Sequence, residues 1–150
     1  MGSSCSSCKT IHINNVKNNL YLTKKNKLNK HLIVDDNPNS IFGLKKFLVN
    51  AGYKVDCVSN GLDAIKLTNE NKYDMIWMDV KMPKMNGLEA SKKIMEQDKS
   101  NIIIIITGFL QYDDPDKYNK AGAFTLFPKP VDIEAIENYL KLLYSKYFNL

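Results

Sequence analysis

The chain has 150 residues with a formal net charge of +5, and its positive charge comes from lysine alone, since no arginine occurs. That length suits one domain with a sizeable core, and neither a run of about 20 apolar residues for a membrane span nor the apolar stretch of a secretory signal is present, so a soluble, cytoplasmic protein is expected. Residues 1–30 hold six lysines and no acid, whereas residues 31–150 hold fifteen lysines against sixteen acids. The basic character belongs to the N-terminal stretch, and without arginine, the favoured side chain for bidentate base contacts, specific DNA binding is not expected.

Residues 1–29, rich in Ser, Asn and Lys, read as a mostly disordered leader, and residues 30–150 as the folded domain. Cys5 and Cys8 have no second ligand pair to complete a zinc site, and with Cys57 they form no disulfide framework. Met1-Gly2-Ser3-Ser4-Cys5-Ser6 fits an N-myristoylation pattern, with Cys5 and Cys8 as palmitoylation candidates. It is a short pattern with meaning only in a myristoylating host, so a membrane role is not expected unless the leader is lipidated.

From His31 onward, strand-like and helix-like runs alternate. The first strand, 31–35, ends at Asp35-Asp36, and Asn37-Pro38 then supplies an N-cap and a proline at the first helical position. Ile41, Leu44, Phe47 and Leu48 give that helix one apolar face, ending near Ala51-Gly52. A second strand over 53–58 leads to Asn60-Gly61 and a helix with Ala64, Ile65 and Leu67 inward. The run 75–78 is a nearly all-apolar third strand closed by Asp79, as expected where both sheet faces are covered. After a loop over 81–87 come a helix over 88–97, a fourth strand over 102–106 closed by Thr107, a weaker helix over 114–121, a fifth strand over 123–127 and a last helix over 132–147. Five strands alternating with five helices predict an α/β fold, a parallel sheet in three layers with right-handed crossovers.

In such a sheet the C-terminal strand ends share one edge, which gathers Asp35, Asp36, Asp79, Thr107 and Lys129. Three neighbouring carboxylates disfavour one another's ionisation, and a hard cation relieves that repulsion. Mg2+, which takes oxygen ligands and keeps several waters, fits one or two carboxylates plus phosphate oxygens. Asp79, alone at its strand end, is placed to be a nucleophile towards phosphorus, with Lys129 and Thr107 to stabilise the phosphoryl oxygens. Lys129-Pro130 is a bond at which a cis peptide costs little. Taken singly, an acidic pair after a strand is usually a turn or cap, and a lone Thr is usually structural. The coincidence of all five on one edge carries the reading. His12 and His31 do not have the helical setting of a phosphodonor; His31 is expected to cap the sheet edge, and Trp77 to be strand core.

Ile33-Val34-Asp35-Asp36-Asn37, Asn60-Gly61, Met78-Asp79-Val80-Lys81-Met82-Pro83, Ile106-Thr107-Gly108, Ala121-Gly122-Ala123 and Pro128-Lys129-Pro130 together resemble the receiver domain of two-component response regulators. The resemblance implies a flavodoxin-like five-stranded parallel sheet of order 2-1-3-4-5, with Asp79 as phosphoacceptor. It implies Mg2+ on Asp35, Asp36, Asp79 and the Lys81 backbone carbonyl, with Thr107 and Lys129 reading the phosphoryl group. The expected partners are a histidine kinase or histidine phosphotransfer protein upstream and a phosphotransfer or target protein downstream. The protein is a signalling phosphoacceptor rather than an enzyme in this reading. No output domain follows before Leu150, so a stand-alone, monomeric receiver is expected, similar to the single-domain intermediates of sporulation phosphorelays.

Many receivers carry Tyr or Phe three positions before the lysine, where this chain has Leu126. The aromatic part of a conformational switch is therefore missing, which favours a relay over allosteric output. Lys81 and Phe109, two positions after Asp79 and Thr107, tune phosphoryl lifetime in the family; their bulk here predicts slow self-hydrolysis. The competing reading is a receiver-like interaction module that is never phosphorylated, membrane-anchored if its N-terminus is lipidated. A haloacid-dehalogenase-type phosphatase needs a second Asp two positions after its nucleophile, and neither Asp79 nor Asp35 is so followed.

Overall fold

The computed structural model describes residues 30–110 and 112–148. The expected leader, its zinc and lipidation motifs and His12 lie outside the described residues. Ten elements alternate: β1 (Lys30–Val34), α1 (Pro38–Asn50), β2 (Lys54–Val58), α2 (Gly61–Glu70), β3 (Met75–Asp79), α3 (Gly87–Gln97), β4 (Ile103–Thr107), α4 (Pro115–Lys120), β5 (Ala123–Pro128) and α5 (Ile133–Phe148). The sheet order is β2-β1-β3-β4-β5 and every pairing is parallel. The expected fold class and strand order are both observed.

Side chains alternate across the sheet, and each face has its own core. Ile33, Trp77, Ile104, Ile106 and Phe127 point to the side covered by Leu44 and Leu48 of α1 and Ile136, Leu140 and Leu143 of α5. Leu32, Val34, Ile76, Met78, Ile103, Ile105 and Leu126 point to the side covered by Ala64 of α2, Ala90 and Ile94 of α3 and Tyr118 of α4. β3 and β4 are buried along their whole length, which is why their sequences run apolar without polar alternation. Each fully buried aliphatic side chain contributes about 1.5–3 kcal/mol relative to exposure.

The helix starts follow local chemistry. Asn37, Asn60, Asn86 and Asp114 each stand in extended backbone and accept a hydrogen bond from a backbone N–H in the first turn of α1, α2, α3 and α4. Such caps stabilise by roughly 1 kcal/mol each. Asp114-Pro115 repeats the start signal of Asn37-Pro38, and α4 is correspondingly one residue shorter at each end than the 114–121 expected.

His31 departs from expectation. It does not cap a sheet edge but is fully buried on β1, an interior strand between β2 and β3. There its ring packs on Tyr53 at 4.5 Å, and its Nδ1 accepts a hydrogen bond from Trp77 Nε1 at 3.0 Å. Trp77 comes from the neighbouring β3 and Tyr53 from the residue just before β2, the strands with which His31 pairs in register at Met75 and Val55. Trp77 is strand core, as expected. Among the described residues no helix is long and apolar enough to cross a membrane.

Candidate functional site

All five predicted side chains stand at the C-terminal edge of the sheet. Asp35 follows β1, Asp79 and Thr107 end β3 and β4, and Lys129 follows β5. Asp36, Asn37, Asp79, Lys81, Thr107, Gly108, Phe109 and Lys129 line a cleft of about 280 Å³. Asp35, Asp36 and Asp79 each offer an oxygen within 4.8 Å of the other two; Asp35 and Asp79 are buried and Asp36 is exposed.

Lys129 ties the edge together. Its Nζ lies 3.0 Å from Asp35 Oδ2 and 3.1 Å from Asp79 Oδ1, so one ammonium spans two carboxylates. The Lys129–Pro130 bond is cis, and the Lys129 backbone N–H donates to the Thr107 carbonyl at 2.9 Å. Backbone donors hold the carboxylates from below. Asn37 N–H donates to Asp35 Oδ1 at 2.8 Å and Val80 N–H to Asp79 Oδ1 at 2.9 Å.

Burial, and then the Asp35 charge, push the Asp79 carboxyl up from 3.8 to about 6 against the opposing pull of Lys129. Asp79 is therefore mostly ionised at neutral pH, although burial and the Asp35 charge both oppose its ionisation. Burial works against the Lys129 ammonium, but its bond to Asp35 and the charges of Asp79 and Asp35 outweigh that and raise its pKa. An acceptor-only set of three carboxylates, one of them raised by a neighbouring anion, suits a hard divalent cation such as Mg2+.

Two features at this edge, Asn37 and Gly87, were not among the expected site residues. Asn37 was read only as a cap, yet it also steadies Asp35 and lines the cleft. Gly87 packs so tightly under Asp79 that an added Cβ would fall 1.7 Å from the Asp79 carbonyl oxygen. The glycine in Asn86-Gly87 was the available signal. The Lys81 side chain does not extend freely into solvent but lies with its Nζ 3.8 Å from the centre of the Phe109 ring.

Comparison with known proteins agrees with this geometry. The family profile of the response regulator receiver domain matches residues 32–141. The chain is 32% identical over 112 residues to sporulation initiation phosphotransferase F of Bacillus subtilis, covering 75% of this chain and 90% of that protein. The segment is only 6% of another relative, hybrid signal transduction histidine kinase B of Dictyostelium discoideum, so relatives differ widely in what surrounds it. Among solved structures, the response regulator TrrA of Thermotoga maritima in complex with Mg2+ and BeF aligns with a TM-score of 0.68 at 30% identity, over 77% of this chain and 98% of that one. A co-crystal of the Saccharomyces cerevisiae histidine phosphotransfer protein Ypd1 with the receiver domain of its downstream response regulator Ssk1 holds a chain that aligns with a TM-score of 0.71 at 26% identity, over 75% of this chain and 86% of that one. On these grounds the chain belongs to the response regulator receiver domain family of two-component signalling.

Proposed function

We propose that the cleft accepts a phosphoryl group from a phosphohistidine donor onto Asp79 and holds it for transfer to a further protein. The observation that carries this reading is the Lys129 ammonium between Asp35 and Asp79, two buried carboxylates, with Asp36 beside them. An Asp79 carboxylate oxygen attacks phosphorus in line, the O–P bond forms as the P–N bond to the donor imidazole breaks, and the imidazole nitrogen leaves with the electron pair. Lys129 turns one of its donors from a carboxylate to a phosphoryl oxygen, and Thr107 offers its hydroxyl from the neighbouring strand end. Asp35, Asp36, Asp79 and the Lys81 carbonyl hold Mg2+, which when bound neutralises charge on the phosphoryl oxygens.

The donor is a histidine kinase or histidine phosphotransfer protein, a reading supported by the likeness to the receiver crystallised with Ypd1. Leu126, buried where many receivers place an aromatic ring, supports relay of the phosphoryl group over a large shape change. Incubation with Mg2+ and phosphoramidate, followed by intact mass measurement, tests the reading. A single phosphoryl adduct that is absent from Asp79→Asn is expected; no adduct at any donor concentration would leave an unphosphorylated interaction module as the better account.

A further inference from the structure

His31 and Trp77 join the two strands whose ends deliver all three carboxylates of the cleft. β1 leads into Asp35 and Asp36, and β3 ends in Asp79. Both side chains are fully buried, and the Trp77 indole N–H donates to His31 Nδ1 at 3.0 Å, with the rings stacked 6.1 Å apart. An indole can only donate, and a neutral imidazole has one nitrogen that accepts. His31 is therefore neutral, with its proton on Nε2 and its lone pair held by Trp77. A proton on Nδ1 and the Trp77 bond exclude each other, and that proton would also put a charge into an apolar core.

The titratable groups of the apolar cluster on this face are Tyr53 ahead of β2, Cys57 on β2, and Tyr139 and Tyr144 on α5. Phenols and thiols are ordinarily neutral between pH 5 and 8, and burial pushes the Cys57 thiol up further. Of the charged side chains on the surrounding elements, Lys30 and Asp74 stand at the strand starts, Lys54 on β2, and Lys45 and Lys46 on α1. Glu134, Glu137, Lys141 and Lys146 belong to α5. Asp56 of β2 turns to the opposite face, where it accepts from the Tyr73 phenol at 2.6 Å. Lysines and carboxylates of ordinary behaviour keep their charge over the same range. Asp79 titrates within it, but from the far end of β3.

We propose that the His31–Trp77 pair is an acid-sensitive latch between β1 and β3. A histidine opened to water takes a proton near pH 6.5. In the closed sheet the Trp77 bond and the apolar surroundings hold His31 neutral. The opened state therefore binds one more proton than the closed one, so acid favours opening. The latch contributes in full above about pH 7, and its contribution is lost as pH falls through about 6.5. The sign is opposite to that of Asp79, whose raised carboxyl favours the folded state in acid. Acid thus loosens the two strands that present Asp35, Asp36 and Asp79.

His31→Asn keeps a hydrogen-bond acceptor for Trp77 and cannot titrate. His31→Phe, which keeps a ring against Tyr53 and cannot titrate either, takes its place if the Asn variant does not fold. Wild type and variant are compared at about pH 5.5 and 7.5, so that Asp79, present in both, cancels. Chemical denaturation is followed by the fluorescence of Trp77, the only tryptophan of the chain, and amide hydrogen exchange is read in peptides covering β1 and β3. On going to the lower pH the unfolding equilibrium constant of wild type, relative to the variant, should rise about tenfold, the effect of one proton on a histidine titrating near 6.5. Exchange in the two strands should rise with it. A ratio equal at both pH values would overturn the inference and leave His31 as a packing residue. A ratio that falls would overturn it too, because the closed sheet would then be the state that holds the proton.

Discussion

The Lys81 ammonium lies 3.8 Å from the centre of the Phe109 ring, and both residues line the cleft that holds Asp79. One follows β3 and the other β4, so the contact crosses the mouth between two strand ends. A cation over an exposed aromatic face is worth about 0.5–1 kcal/mol. Phe109 is otherwise a large apolar side chain left 40% exposed, which the contact helps to explain.

The pair is expected to obstruct the path of water to a phosphoryl group on Asp79. Lys81→Ala and Phe109→Ala should each shorten the phosphoryl lifetime by about two- to fivefold, the kinetic equivalent of one cation–π contact. The double variant should lose little more than either single one, because each change already removes the whole contact. Loss of the mass adduct with time measures it. A wild-type lifetime of seconds, or strictly multiplicative effects, would contradict a shared obstruction.

The raised carboxyl of Asp79 has a consequence for the metal-free protein. Burial first and the Asp35 charge second push it to about 6, above the ordinary 3.8. The folded protein therefore binds that proton more tightly than the unfolded chain. Stability from this group is present in full below pH 4 and is lost as pH rises through 6. Asp79→Asn removes the titrating charge, so in EDTA at about pH 7.5 the variant should be more stable by about 1–3 kcal/mol. The gap should close as pH falls to about 4, and chemical denaturation at several pH values checks it. A gap independent of pH would mean that Asp79 is not strained by its neighbours.

Most of the architecture could be read from local patterns because local chemistry sets it. The unbroken run 102–106 marks a strand buried on both faces, and Asn37-Pro38 marks a helix start; both are found. The five side chains of the edge could be placed because strand order and chain direction alone decide which residues end there. What local patterns could not supply is pairing at long range. Lys129 and Asp35 are 94 residues apart, and His31 and Trp77 are 46 apart. Their contacts depend on sheet register and on rotamers chosen by packing, neither of which leaves a local pattern.

Two glycines give a matched test of how tightly Asp79 is supported. A Cβ on Gly87 would fall 1.7 Å from the Asp79 carbonyl oxygen and 2.8 Å from its carbonyl carbon, whereas one on Gly43, exposed in α1, meets nothing within 4 Å. Backbone cannot rotate away, so Gly87→Ala must move α3 or the end of β3. It should destabilise by about 1–3 kcal/mol or more and slow phosphorylation. Gly43→Ala should be stabilising by up to about 1 kcal/mol, the propensity difference in a helix interior, with no effect on the cleft. Denaturation midpoints and adduct rates for both variants decide it.

Removing Lys129 should separate its two contacts from any role in binding metal. Lys129→Ala leaves Asp35 and Asp79 facing each other without the ammonium now 3.0 Å and 3.1 Å away. Loss of one partner from a buried pair costs up to about 3–5 kcal/mol, reduced here because Asp79 can take a proton and the lysine is partly open to water. The metal-free variant should accordingly melt lower than wild type. A divalent cation among the carboxylates restores the missing positive charge, so Mg2+ should raise the melting temperature of the variant by more than that of wild type. Phosphorylation by phosphoramidate should still be slowed by at least about tenfold, because a developing phosphoryl oxygen has lost a fixed cationic donor. Thermal melts with and without Mg2+, beside adduct rates, read the two effects separately. An equal Mg2+ response in both proteins would show that the ammonium and the metal do not act on the same carboxylates.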